Sequence, residues 1–532
     1  MSAVTRRSFL SATAAAAATA AATGRASAQS AAGSGSSGPA PGPVPTVEQE
    51  HRVVVVGSGF GGGIAALRLT QAGVPVTVLE RGRRWPTGPN ANTFPSPSNP
   101  DKRMLWHKSL PEVFGRKVLL EPYVGLLETF GGNGMTAICA AGVGGGSLLY
   151  QGMSLEPTRE LFNTYFPEEL DWELMHREHY PRVARMLQLA TAPDDVVASE
   201  PYRAARIFAT KAKAAGLPVS KIPMPIDWDF VRAELRGEMR PSYTNGDGAF
   251  GVNNGGKHSV DVTYVAAAEA TGLADVRTCH EVTDVERAPD GRWRVLVDRT
   301  DESGTPVERI VMTTPALVMA AGSVNTTRLL VKAKAEGRVP DLPDALGEGW
   351  GTNGDQILGW IDPRLGFGSP QGGPVVYGTK LWDDPATAHT LIQASIPPLS
   401  IDARSTVMVG YGVSPSRGTV RYTGDGNVTL DWPADGDRAL MDRSILPTAH
   451  RIAGPDTFLL NTNTLVNSTW HPLGGACMGT VCDLEGRVHG QRGLYVLDGA
   501  LMPGTTAACN PSMTIAAVAE RAMDRIVASD GL

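Results

Sequence analysis

The chain has 532 residues, which at roughly 150 residues per domain fills three or four ordinary domains or fewer large ones, and excludes a disulfide-stapled miniprotein. It is 42% hydrophobic and 19% charged with 61 Gly and 39 Pro, a globular, loop-rich make-up rather than a fibrous or disordered one. The net charge is −6, and Arg6, Arg7 and Arg25 are the only charges in the first 28 residues, so the remainder carries −9 and is ill suited to a nucleic-acid backbone.

Thr5-Arg6-Arg7-Ser8-Phe9-Leu10 is a twin-arginine element, followed by an Ala-rich apolar stretch and by Ala26-Ser27-Ala28, a small-residue cleavage site. This order predicts a removable export signal over 1–28 and a secreted protein. The Ala-rich stretch is too weakly hydrophobic for a convincing membrane span, and no later run reaches eighteen apolar residues, so no integral membrane segment is expected. Residues 29–50, rich in Gly, Ser and Pro over most of their length, read as a flexible linker.

The first segment carrying chemistry follows. Val53-Val54-Val55-Val56 is a β-branched run of the kind buried on both faces of a sheet, and it leads into Gly57-Ser58-Gly59-Phe60-Gly61-Gly62. A helix is expected behind it, ended by Gly73, and Val76-Thr77-Val78-Leu79-Glu80 supplies a second strand tipped by a carboxylate. In such a βαβ unit Gly57 permits the tight turn and Gly59 lets backbone approach a pyrophosphate. Gly62 allows close helix packing, and Glu80 can accept from ribose hydroxyls. The unit predicts an ADP-containing cofactor, whether NAD or FAD. Late in the chain, Gly493 to Ala500 reads as a strand closing on Asp498-Gly499, with a helix-like run from Thr514 to Ile526; this pairing is the arrangement of large FAD enzymes.

Gly142-Val143-Gly144-Gly145-Gly146-Ser147 is too glycine-dense for a regular element and offers successive backbone N–H groups to phosphate or to a flavin edge. Val318 to Ser323 reads as a strand entering a Gly turn before a helix bearing Thr326, Leu329 and Leu330. Five cysteines leave at least one unpaired; only Cys477 and Cys482 lie close enough in sequence to bridge readily. There is no CxxC, HExxH or CxxCH, so no metal is expected.

With Gly152-Met153, Gly256-Lys257, His280-Glu281-Val282, Ala320-Ala321-Gly322-Ser323, Gly349-Trp350-Gly351, Asn353-Gly354, His471-Pro472-Leu473-Gly474-Gly475 and Asn510-Pro511, these blocks resemble the glucose–methanol–choline family of flavin oxidoreductases. Within it the chain is most similar to the bacterial cholesterol oxidases with non-covalent FAD, from residue 51 to 532. The resemblance implies an α/β fold: a Rossmann-like FAD-binding domain over 51–155, 246–355 and 461–532, and an interleaved substrate domain over 156–245 and 356–460 built on an antiparallel β-sheet. Ser405 to Val413 and Thr419 to Tyr422 are suitable strands for that sheet.

For the cofactor the resemblance implies Gly57, Gly59, Phe60, Gly62, Glu80, Gly142, Gly144, Gly145, Gly146, Ser147, Met153, Val282, Gly322, Asp498, Asn510 and Pro511. For catalysis it implies His471, whose ordinary pKa of about 6.5 lets it accept an alcohol proton near neutral pH, and Asn510, an uncharged donor and acceptor able to hold the alcohol oxygen. Counting back without gaps from Pro415, the carboxylate that shifts the sterol double bond in cholesterol oxidases falls on Asp402, one methylene shorter, and an ordinary surface acid is the alternative reading of that residue. Tyr150 and Gln151 stand where those enzymes have Asn and Gly. The expectation is therefore a monomeric alcohol oxidase for apolar primary or secondary alcohols or diols, with O2 as acceptor. A sterol oxidase/isomerase and a dehydrogenase using another acceptor remain open, as does a nucleotide-binding protein without catalysis.

Overall fold

Four consecutive valines, all buried, open the central sheet of the computed structural model, which describes residues 44–96, 99–109, 112–113, 116–117, 120–397, 401–464 and 467–532. The expected signal and most of the expected linker lie outside the described residues. Strands β1 (Val53–Val56), β2 (Val76–Leu79), β3 (Ala274–Arg277), β4 (Ala316–Met319) and β5 (Leu494–Val496) form one parallel sheet in the order β5-β4-β1-β2-β3. All-parallel strands are covered on both faces, which is why β1, β2, β4 and β5 are buried throughout.

Helix α1 (Phe60–Gln71) follows β1 directly. Three glycines in its first turn let it press against the sheet end: a Cβ on Gly61 would lie 1.9 Å from Leu497 O, and one on Gly62 would lie 2.0 Å from Gly57 O. Helix α2 (Ser323–Ala335) leaves β4 through Gly322, and α3 (Pro511–Ser529) closes the chain. Asn510 is extended and Pro511 presets the first helical φ, so the start of α3 is fixed by sequence. The helix α3 runs along α1, and the buried Glu520 of α3 takes both guanidinium donors of Arg68 at 2.6 and 2.7 Å, together with the Tyr264 hydroxyl at 3.0 Å.

A second sheet of six antiparallel strands runs in the order 458–461, 356–361, 405–412, 389–394, 377–381, 220–221. The short strand Ser220–Lys221 thus joins the segment before residue 245 to the one after 356. Strand Thr419–Tyr422 is not part of this sheet, against expectation. It pairs with Val428–Asp431 as a separate hairpin, and Val420 N–H donates to Gly347 O, so that hairpin lies beside α2. Residues Thr46–Glu50, read as tether, form a strand parallel to Pro306–Thr314 in a third sheet, which also holds His280–Arg287. Cys477 and Cys482 are both buried free thiols, so the bridge that their spacing permits is not made. Among the described residues no helix is long and apolar enough to cross a membrane.

Candidate active site

Two cavities meet where the parallel sheet faces the antiparallel one. The first is a cleft of about 1320 Å³, its open mouth included, running from β1 and β2 past Val282 to the start of α3. The second, of about 1270 Å³, lies under the antiparallel strands and is lined by apolar groups including Phe250, Ile357, Ile392, Val407 and Val409. Tyr150, Trp470, His471 and Asn510 line both.

The cleft fits an extended dinucleotide, as the backbone itself shows. Gly57, at φ +94°, is required by the protein's own packing, since a Cβ there would lie 2.3 Å from Ala320 O. Gly59, Gly146 and Gly322 are different: a Cβ on Gly59 meets nothing closer than 3.8 Å, and on the other two nothing within 4 Å, yet all three line the cleft. Their missing side chains leave a cradle that only a ligand would fill. No acid sits in the first turn of α1, so its free N–H groups and the positive end of its dipole stay available to an anion.

At the two ends of this cradle stand carboxylates. Glu80, buried, accepts from Ser58 Oγ at 2.6 Å and from the N–H groups of Gly82 and Gly142 at 2.8 and 3.0 Å. Asp498 accepts from Gly322 N–H at 2.8 Å, Ala500 N–H at 2.8 Å and Thr326 Oγ1 at 2.5 Å; burial pushes its carboxyl up to about 6 against these bonds. Phe60, Gly145, Val282, Pro511 and Asn510 also line the cleft. Gly62, Gly142, Gly144 and Ser147 do not. Ser147 is fully buried, donating to Gly144 O and accepting from Val260 N–H, and so braces the glycine loop from behind. Met153 lines the apolar cavity instead of the cleft.

Lys257 holds the same loop from below. Its ammonium donates to Leu148 O at 3.0 Å and Tyr150 O at 2.7 Å and lies over the Tyr150 ring; burial pulls its pKa down to about 7.

His471 sits at the junction of the two cavities, its side chain 15% exposed. Its Nδ1 lies 2.7 Å from Oδ1 of Asp355, a fully buried carboxylate. The other oxygen of Asp355 accepts from the N–H groups of Trp470 and His471 at 3.0 and 3.1 Å and from Thr469 Oγ1 at 2.8 Å. An acceptor at Nδ1 assigns the proton to that nitrogen, leaving the Nε2 lone pair as the receptive one. The Tyr411 ring meets the imidazole edge-on at 5.9 Å.

Asn510 is held more tightly than its sequence context implies. Its Oδ1 accepts from Leu155 N–H at 3.2 Å, and its two Nδ2 hydrogens go to Met153 O and to Ser512 Oγ, the latter at 2.7 Å. Both donors are spent inside the protein, so what Asn510 can offer to a bound molecule is the one remaining lone pair of Oδ1. Asp402 lies elsewhere. It lines neither cavity, and its oxygens accept from Gly368 N–H at 3.1 Å and Arg404 N–H at 2.8 Å, which makes it a brace of surface turns and not a proton shuttle.

Sequence reasoning passed over Asp355. It directly follows the Asn353-Gly354 pair that was singled out, but it lies 116 residues from His471 and nothing in the spacing joins them.

Residues 448–519 match the GMC oxidoreductase family model and residues 55–114 the NAD(P)-binding Rossmann-like domain. A cholesterol oxidase of Mycobacterium tuberculosis is 27% identical over 552 aligned positions, spanning 90% of this chain and 91% of the relative. One from Acinetobacter baumannii is 25% identical over 91% of this chain and 95% of its own length. Two solved structures share the fold: pyridoxine 4-oxidase from Mesorbium loti, with TM-score 0.62 and 16% identity over 89% of this chain and 99% of that one, and a fungal aryl-alcohol oxidase, with TM-score 0.62 and 16% identity over 90% and 99%.

Proposed function

We propose that the chain, whose residues 448–519 match the GMC oxidoreductase family model, is an FAD-dependent alcohol oxidase of that family, oxidising an apolar primary or secondary alcohol or diol to the aldehyde or ketone with O2 reduced to H2O2. The observation that carries this reading is the placement of His471 between a dinucleotide-shaped cleft and an apolar cavity. FAD, bound without a covalent link, would lie against Gly59, Gly146 and Gly322, with Glu80 and Asp498 at its ribose and ribityl hydroxyls and Val282 at the adenine. Bound there, FAD would supply the acceptor for the hydride that leaves the alcohol carbon.

The chain's own residues do the rest. Asp355 holds the His471 proton on Nδ1, so Nε2 takes the hydroxyl proton as the C–H bond is given up; Asp355 touches neither cavity and is a positioning residue. Asn510 ties the 153–155 turn to the start of α3 beside His471 and keeps one Oδ1 lone pair for a hydroxyl. The amino end of α3 points its dipole at the cleft and favours negative charge there. The apolar walls exclude water from the alcohol's body. The reading includes export by the twin-arginine route, which rests on residues 5–10 and 26–28 alone.

Among the described residues no carboxylate lines the apolar cavity, which favours oxidation without a double-bond shift over a sterol oxidase/isomerase. A peroxide-coupled screen of the flavin-bound protein, setting cholesterol beside aliphatic alcohols and diols, tests the reading. Turnover of apolar alcohols with peroxide released in step is the expected result. Dye reduction under argon without peroxide in air would assign a dehydrogenase instead, and a conjugated enone from cholesterol would restore the isomerase.

A further inference from the structure

Helix α2 turns one face toward the adenosine end of the cleft. Residues 325, 328, 329 and 332 stand at the i, i+3, i+4, i+7 spacing that lines one stripe of a helix. Lys332 fastens that stripe to strand His280–Arg287, its ammonium pairing with Asp284 at 2.7 Å. Asn325, Arg328 and Leu329, within the two turns before it, therefore meet the beginning of the same strand, and all three line the cleft together with Val282.

Among the described residues one cation on this wall has no direct partner. Arg81, the residue after Glu80, pairs with the buried Glu128 at 2.7 Å, and Asn325 Nδ2 donates to the same carboxylate at 3.1 Å. Burial pushes the Glu128 carboxyl up, but the Arg81 and Arg328 guanidiniums outweigh it and hold the group below its ordinary range. Arg81 is thus answered by Glu128 in direct contact and by the nearby Glu80. Arg328, half-buried, makes no hydrogen bond or ion pair among the described residues, and Asn325 Oδ1 is buried without a partner. A guanidinium without a direct partner faces a cleft whose expected ligand carries two phosphates, and the free Asn325 acceptor suits a ribose hydroxyl of the same ligand.

We propose that Arg328 is a binding residue for the adenosine-phosphate half of FAD, closing over that half with Asn325 and Arg81 beside it. The inference rests on the FAD reading above. A guanidinium is suited to the task in two ways, by stacking its plane on the adenine face or by forking onto phosphate oxygens, and lysine can imitate only the charge.

The test strips flavin from the full-length protein and titrates it back, reading flavin fluorescence, in wild type, Arg328→Ala, Arg328→Gln and Arg328→Lys, with near-ultraviolet circular dichroism as the check on folding. Arg328→Ala and Arg328→Gln are expected to weaken FAD about 10- to 100-fold and to weaken ADP competition likewise, while FMN, which lacks the AMP half, binds as to wild type. Recovery in Arg328→Lys assigns the contact to phosphate, and no recovery assigns it to adenine stacking. Unchanged FAD affinity in both neutral variants, or an equal loss for FMN, would overturn the inference. A wild-type protein that takes up no FAD would instead overturn the reading on which it rests.

Discussion

Nδ1 of His471 is committed to Asp355, and this single bond decides which nitrogen can act as a base. Asp355→Leu removes the acceptor without touching either cavity. Its flavin reduction by alcohol is expected to fall about 10²-fold with substrate KM little changed, and the imidazole 15N spectrum should show a proton appearing on Nε2. A rate loss with an unchanged tautomer would make Asp355 merely structural. His471 was legible in the sequence because its His-Pro-Leu-Gly-Gly setting is distinctive. Asp355 was not, because a carboxylate's value here comes from four donors that only the fold assembles. For Asp402 the sequence left a catalytic and a surface acid open, because an ungapped count preserves chemistry but not direction; its carboxylate is used on turn amides.

Between elements, the contact of α1 with α3 depends on a buried charge. Glu520 is fully buried and answers Arg68, Arg182 and Tyr264, so Glu520→Ala leaves Arg68 without a carboxylate and Arg182 with Asp524 alone. A loss of about 3 kcal/mol in chemical denaturation is expected, since removing one partner of a buried pair costs more than the pair contributes. A loss below about 1 kcal/mol would show that water replaces the carboxylate there. The elements themselves were mostly readable: β1, α1 and β2 follow from apolar runs and glycine placement, and the start of α3 from Asn510-Pro511. The partner of Thr419–Tyr422 was not readable, because alternation marks a strand without saying which edge it joins, and Asn133 and Gly347 capture this hairpin beside α2.

Across the whole molecule, two cavities are brought to one histidine by a chain that crosses between the sheets several times, and buried acids are the cost of that junction. Asp437, which accepts from Thr352 Oγ1 near Asp355, has its carboxyl pushed up to about 6 by burial. A carboxyl raised above its unfolded value of 3.8 binds a proton more readily when folded, so its penalty is absent below pH 3.8, grows through the window to about 6 and is full above it. Asp437→Asn should therefore be more stable than wild type at pH 7.5, by about 1–3 kcal/mol, and indistinguishable from it near pH 4. An advantage that persists at pH 4 would contradict this account. The dinucleotide fold was visible in the sequence because glycine turns and β-branched runs report local backbone needs, whereas the antiparallel sheet set beside it was expected only from the family resemblance. The size and apolar lining of the second cavity were not visible, since they depend on how strands 356–361, 389–394 and 405–412 face residues 127–153.

The most direct measurement is anaerobic stopped-flow reduction of the bound flavin by an apolar alcohol, in wild type and in His471→Ala. The account predicts rapid bleaching of the flavin in wild type. In the variant it predicts full FAD content with reduction slowed about 10²–10⁴-fold, the loss of a positioned base. Equal reduction rates in the two proteins would contradict it.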